Sequence, residues 1–89
     1  MAWRIEFAEP AAREFAALDR PVAVRVRLFL EERVATADDP RAIGERLKGA
    51  EHGDFWRFRV GDWRLIARIE DEVLCVVVLR LGHRRLVYR

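Results

Sequence analysis

Apolar and polar residues alternate from the start of the chain: Trp3, Ile5 and Phe7 are separated by Arg4 and Glu6. A period of two predicts an opening strand. From Pro10 the spacing becomes helical. Ala11, Phe15 and Leu18 form one short stripe, and Val22, Val26, Phe29, Leu30 and Val34 form a longer one. Pro10 and Pro21 sit where a first helical turn tolerates proline, and Asp19 is suited to cap the second helix. The two stripes predict a helix hairpin with a shared apolar face. Asp38-Asp39-Pro40 then reads as a loop, and a short strand is expected near Arg46 to Lys48.

The period of two returns in FWRFRVGDWRLIARI, residues 55–69. Gly61-Asp62 between two alternating runs predicts a two-residue hairpin with glycine first, a type II′ turn. That register sets Val60 against Trp63, Arg59 against Arg64, Phe58 against Leu65 and Arg57 against Ile66. Arg57, Arg59 and Arg64 then share one face, and Phe58, Leu65, Trp56 and Ala67 share the other. Like charges placed opposite each other destabilise a sheet. These arginines therefore extend into solvent, pair with carboxylates or hold an anion from outside. Removing Arg64 is expected to relieve repulsion at little cost in stability. Glu70-Asp71-Glu72 forms a charged turn. Val73 to Leu81 form a nearly continuous apolar strand, as in a strand that is central in its sheet or covered. The whole predicts an α+β fold: an N-terminal strand, a helix hairpin, then a mainly antiparallel three- to four-stranded sheet.

Composition narrows the chemistry. A chain of 89 residues, 52% hydrophobic, is expected to be one domain over 1–89. The single Cys75 excludes a disulfide framework and fits a reducing cytoplasm. In its apolar strand it reads as a small buried hydrophobe. No apolar signal-peptide core opens the sequence, and Val73 to Leu79 is far too short to cross a bilayer. The two histidines, His52 and His83, lack companion ligands at metal-site spacing. No serine is present, which excludes a Ser–His–Asp site. No metal or other cofactor is called for.

Charge is unevenly spread. Residues 1–45 carry seven Arg and nine Asp/Glu; residues 46–89 carry ten Lys/Arg and six Asp/Glu. The basic excess therefore sits in the half that holds the hairpin. Lys48 is the only lysine among seventeen cations. Arginine's planar fork suits phosphate, which it can bind through two bonds at once. His83, after Gly82, is either a strand-end histidine satisfied by backbone or a proton-transfer group. Tyr88 either covers the edge of the core, stacks on a base or exchanges a proton.

The segments DPRAIGERLKG, WRFRVGDWRLIARI and VLRLGHRRLVYR, in this order after a strand and two helices, resemble the RelE/ParE toxin superfamily. The tail GHRRLVY is more similar to the RelE branch, the type II toxin–antitoxin mRNA interferases. The resemblance implies a ribosome-dependent endoribonuclease that cleaves mRNA in the A site of the 70S ribosome by 2′-hydroxyl attack on phosphate. It implies catalytic roles for Arg57, Arg59, Arg64, Arg84 and Tyr88, with His83 as a second proton-transfer candidate, and RNA contacts by Lys48 and Arg85. It also implies a cognate antitoxin that covers the basic face. Arg57 and Arg59 stand where RelE-type toxins often have lysines, so a lysine-type general base is lacking. The alternatives are a ParE-like poison of DNA gyrase without nuclease activity, and a degenerate toxin that only binds its antitoxin.

Overall fold

A computed structural model describes residues 2–47 and 55–87. Strand β1 (Arg4–Phe7) leads into α1 (Glu9–Ala16) and α2 (Arg20–Phe29), which a π-helical turn, Leu30–Val34, extends. A 3₁₀ turn, Pro40–Ile43, precedes β2 (Glu45–Arg46). Strands β3 (Phe55–Val60) and β4 (Trp63–Glu70) form the hairpin. A second 3₁₀ turn, Asp71–Val73, leads to β5 (Cys75–His83), and the helical turn α3 (Arg84–Val87) follows.

The α+β class and the order of elements are those expected from the sequence. The sheet is larger than expected, because the N-terminal strand joins it: five strands lie in the order β1-β5-β4-β3-β2. Only β1 and β5 are parallel. A parallel pair needs a long crossover. The helix hairpin begins that crossover, and the β2–β4 meander completes it. The expected strand near Arg46 to Lys48 is β2, and it begins at Glu45.

The alternation in the hairpin decides what is buried. Phe58, Leu65 and Ala67 on one face meet Val76 and Val78 of β5 and Val26, Leu30 and Val34 from the helices, and all of these are buried. Truncating a side chain such as Phe58 in this layer costs about 3–5 kcal/mol. β5 pairs with β1 on one side and β4 on the other, as its continuous apolar run requires. Cys75 lies fully buried in it, and burial pushes its thiol up, which disfavours the thiolate. Asp19 does precede α2, but its side chain makes no capping hydrogen bond.

Two ion pairs tie the periphery down. Arg41 donates Nη1 and Nη2 to the two carboxylate oxygens of Asp71, at 3.0 and 2.7 Å, which joins the 3₁₀ turns. β1 stops at Phe7 and leaves the end of β5 without a strand neighbour on that side. Glu14 of α1 covers this gap. Its Oε1 accepts the Leu81 N–H at 2.8 Å, and its Oε2 accepts from Arg80 Nη2 at 2.8 Å. An open sheet edge invites pairing with another chain, and the Glu14 carboxylate blocks it locally.

The hydrogen bond from Arg80 holds the Glu14 carboxyl below its ordinary value, and that from Arg41 does the same for Asp71. A carboxylate with a depressed folded pKa contributes stability above its unfolded pKa and loses it as pH falls through the folded value. Chemical denaturation at a series of pH values should therefore show stability falling from roughly pH 4 downward. Glu14→Gln should be less stable than the parent at neutral pH, with a flatter acid profile. An unchanged profile would mean that the Glu14 clamp contributes nothing to folding.

Candidate functional site

The hairpin turn has the geometry that its Gly-Asp pair predicts. Gly61 has φ +59 and is the only described glycine with positive φ, while Asp62 does not share the left-handed region. The observed register pairs Val60 with Trp63, Arg59 with Arg64, Phe58 with Leu65 and Arg57 with Ile66, as expected.

The cations on this face are held in three different ways. Arg57 and Arg59 share one carboxylate. Glu45 on β2 lies opposite Arg57; its Oε2 accepts from Arg57 Nη2 at 3.0 Å and its Oε1 stands 2.9 Å from Arg59 Nε. The Arg57 side chain is 17% exposed and that of Arg59 is 55% exposed. Arg59 thus presents its guanidinium to solvent more than Arg57 does. Sequence reasoning passed over Glu45. The available signal was its place immediately before the segment read as a short strand, where pairing with β3 puts a carboxylate beside alternate arginines.

Arg64 departs from the expectation that it projects beside Arg57 and Arg59. The residue is 8% exposed. Its Nη1 donates to the carbonyls of Gly61 at 2.7 Å and Trp63 at 3.0 Å, and its Nε is buried without an acceptor. The turn's own carbonyls therefore serve as its counter-dipole. Removing Arg64 leaves those carbonyls without their donor and opens space under the turn, so a loss of stability is the expected consequence.

The tail is fastened to the same turn. The Arg84 N–H donates to the Asp62 carbonyl at 2.8 Å, and Arg84 Nη1 lies 3.9 Å from Asp62 Oδ1. Arg84 is exposed. His83 falls elsewhere. In the β4–β5 register it pairs with Trp63, on the sheet face opposite Arg59 and Arg64. Its ring meets Trp63 edge-on, with centroids 5.6 Å apart at 84°. Its Nδ1 accepts the Arg85 N–H at 3.3 Å. A cavity of about 600 Å³ opens on this side, bordered by Trp63, Gly82, His83, Leu18 and the Glu14–Arg80 pair. The structure thus gathers Arg57, Arg59 and Glu45, with Arg64 beneath the turn and Arg84 at its flank, and sets His83 apart. Arg85 is exposed beside His83. Lys48 and Tyr88 lie outside the described residues. Among the described residues no group of His, Cys, Asp or Glu is placed to hold a metal ion, and no helix is long and apolar enough to cross a membrane.

Residues 5–88 match the model of the ParE toxin of the type II toxin–antitoxin system parDE. The chain belongs to this toxin family. It is accordingly a toxin of the RelE/ParE superfamily, and its relatives include members named for RelE. Toxin RelG of Mycobacterium tuberculosis (strain ATCC 25618 / H37Rv) is 41% identical over 51 residues. That match covers 57% of this chain and 58% of RelG, so the aligned part spans little more than half of the relative. The toxin is similar to a chain of the RelBE2 toxin–antitoxin complex from M. tuberculosis, with 28% identity, TM-score 0.82, and 94% and 93% of the two chains covered. It is similar also to the isolated E. coli RelE toxin, with 25% identity, TM-score 0.73, and 98% and 92% covered.

Because Glu45 supplies the counter-charge of both arginines, Glu45→Gln should tighten inorganic phosphate at this site and lower thermal stability slightly. Phosphate titration followed by NMR of the arginine side chains measures the first, and a melting curve the second. Weaker phosphate binding by the variant would show that Glu45 orders the guanidiniums more than it competes for them.

Proposed function

We propose that this toxin is a ribosome-dependent endoribonuclease that cleaves mRNA in the A site, and that a cognate antitoxin neutralises it by covering the basic face. The observation that carries the reading is the pair Arg57–Arg59 converging on one carboxylate, with Arg84 tethered at the adjoining turn. A site that places two guanidinium forks around one bidentate anion suits a phosphodiester, whose oxygens offer the same pairing. RelE-type toxins among the similar structures, several solved with an antitoxin, support the reading.

In the proposed reaction the ribose 2′-oxygen forms a bond to the adjacent phosphorus, and the bond from phosphorus to the 5′-oxygen breaks. The products are a cyclic phosphate and a free 5′-hydroxyl. The 2′-hydroxyl gives up a proton and the departing 5′-oxygen takes one. Arg57, Arg59 and Arg84 would stabilise charge on the phosphoryl oxygens, which is usually the largest catalytic contribution. Arg64 would act beneath them by holding the turn that positions Arg59 and Arg84. Arginine does not deprotonate, so proton transfer falls to other groups. Tyr88 would stack on the reactive nucleotide or accept the 2′ proton. His83, on the opposite sheet face, is the weaker candidate. Lys48 and Arg85 would contact the RNA backbone. An incoming phosphate must displace Glu45 or share the arginines with it. The ribosome would supply the remaining substrate geometry.

The family match is to ParE itself, which supports a second reading: a poison of DNA gyrase without nuclease chemistry. Mapping RNA ends after induction, beside a test of purified gyrase for trapped cleavage complexes, separates the two. Trapped gyrase with intact message would replace the nuclease reading.

Two variants test the site. Arg59→Ala, at an exposed position, should lower single-turnover cleavage of mRNA on programmed ribosomes by about 10²–10³ with little change in melting temperature. Full activity in a folded Arg59→Ala variant would remove Arg59 from the site. Tyr88→Phe keeps the ring and loses the hydroxyl, so it should bind programmed ribosomes normally and cleave about 10²–10⁴-fold more slowly. Parent-like cleavage by Tyr88→Phe, with loss only in Tyr88→Ala, would make Tyr88 a stacking platform.

A further inference from the structure

Most described arginines are neutralised within the chain. Arg4, Arg13, Arg27, Arg41, Arg68 and Arg80 each hold a carboxylate at salt-bridge distance. Among the described residues no carboxylate lies at salt-bridge distance from Arg25 on α2 or Arg33 on its π-helical extension, although both lie beside the hairpin. They line a cleft of about 280 Å³ between the helix and the end of β3, together with Arg59, Leu28, Phe29 and Gly61. β2 covers β3 only at Trp56 and Arg57, so this end of β3 has no strand neighbour on that side. Among the described residues Glu32 is the one acid lining the cleft, against three arginines. A side-chain carbon built on Gly61 would stand 2.9 Å from Arg25 Nη1, so the bare glycine lets this guanidinium lie against the turn. Arg33 lies over the Phe29 ring, its guanidinium carbon 5.8 Å from the centroid. Arg59 belongs both to this cleft and to the pair around Glu45.

We infer that the cleft is a second phosphate-binding subsite, which holds the backbone of single-stranded RNA next to the phosphate at Arg57 and Arg59. The inference rests on the RNA reading proposed above. Two guanidiniums that no described carboxylate pairs, lining one cleft with a third that serves the first site, offer a polyanion successive contacts. An amphipathic protein helix fits less well. It needs several apolar anchors at helical spacing, and the cleft's one exposed large apolar side chain is Leu28, at 38%.

The test uses the full chain and a short 2′-O-methyl RNA, which lacks the attacking hydroxyl and cannot be cleaved. Affinity is measured by fluorescence anisotropy over a series of salt concentrations. Each phosphate contact contributes about 0.7 to the slope of log K against log salt for a single strand. Arg25→Ala with Arg33→Ala should reduce the slope by about 1.4, and the double lysine variant should retain it. Arg20→Ala removes an unpaired, exposed cation at the other end of α2 and should leave the slope unchanged, while melting curves verify folding of every variant. An equal loss in Arg20→Ala would mean that only general charge is being read. A full slope in the folded double alanine variant overturns the subsite while leaving the nuclease reading intact, and so does a loss of antitoxin affinity without loss of RNA affinity. A parent chain that binds no RNA also overturns the subsite, whereas the nuclease reading stands or falls with cleavage on programmed ribosomes.

Discussion

The two-residue turn at Gly61-Asp62 is the constraint on which the rest of the structure depends. Side chains on a strand alternate with a period of two, so slipping the β3–β4 pairing by one residue would turn Arg57 and Arg59 into the core and Phe58 out of it. The positive φ of Gly61 closes the turn with the twist that the hairpin needs. Closure in this register puts Phe58 and Leu65 under the helices and the arginines on the outer face. The same turn supplies acceptors to Arg64 and to the Arg84 N–H, so it organises both the core beneath it and the tail beside it.

Placing so many cations on one hairpin carries an electrostatic cost, and the molecule offsets it locally. Glu45 serves Arg57 and Arg59 together, backbone carbonyls serve Arg64, and Asp62 stands near Arg84. Each arrangement has a different consequence for function. A carboxylate on an exposed guanidinium can exchange for a phosphate at small cost, because exposed ion pairs contribute little. A buried guanidinium tied to the carbonyls of a turn cannot leave without undoing the turn. Arg59 and Arg64 are cross-strand neighbours of identical type, yet one is available to a ligand and the other is part of the scaffold.

Family and fold agree on a toxin of the RelE/ParE superfamily. One fold hosts unrelated activities, and function resides in the site. The choice between nuclease and gyrase poison depends on what the arginine pair meets. The neighbouring cleft at Arg25 and Arg33 bears on it as well, because an extended cationic track suits a strand of RNA better than a single anion.

Much of this could be read from local pattern. The alternation around Gly61-Asp62 determined the hairpin register and the division of its faces. The helical stripes determined the α1–α2 pair, and the doubly apolar run determined that β5 is an interior strand. These features follow from neighbours in sequence. Tertiary structure decided the rest. Glu45 meets Arg57 because β2 docks on β3, a pairing that propensity in a two-residue strand cannot announce. Burial of Arg64 came from the way the turn folds over its side chain. The side of the sheet taken by His83 depended on a single bulge: the β4–β5 register shifts between Ile66 and Ala67, which leaves Leu79 without a partner and reverses the alternation of the strand beyond it. A run of Val and Leu carries no mark of where such a bulge falls, because each residue in it fits either face equally well.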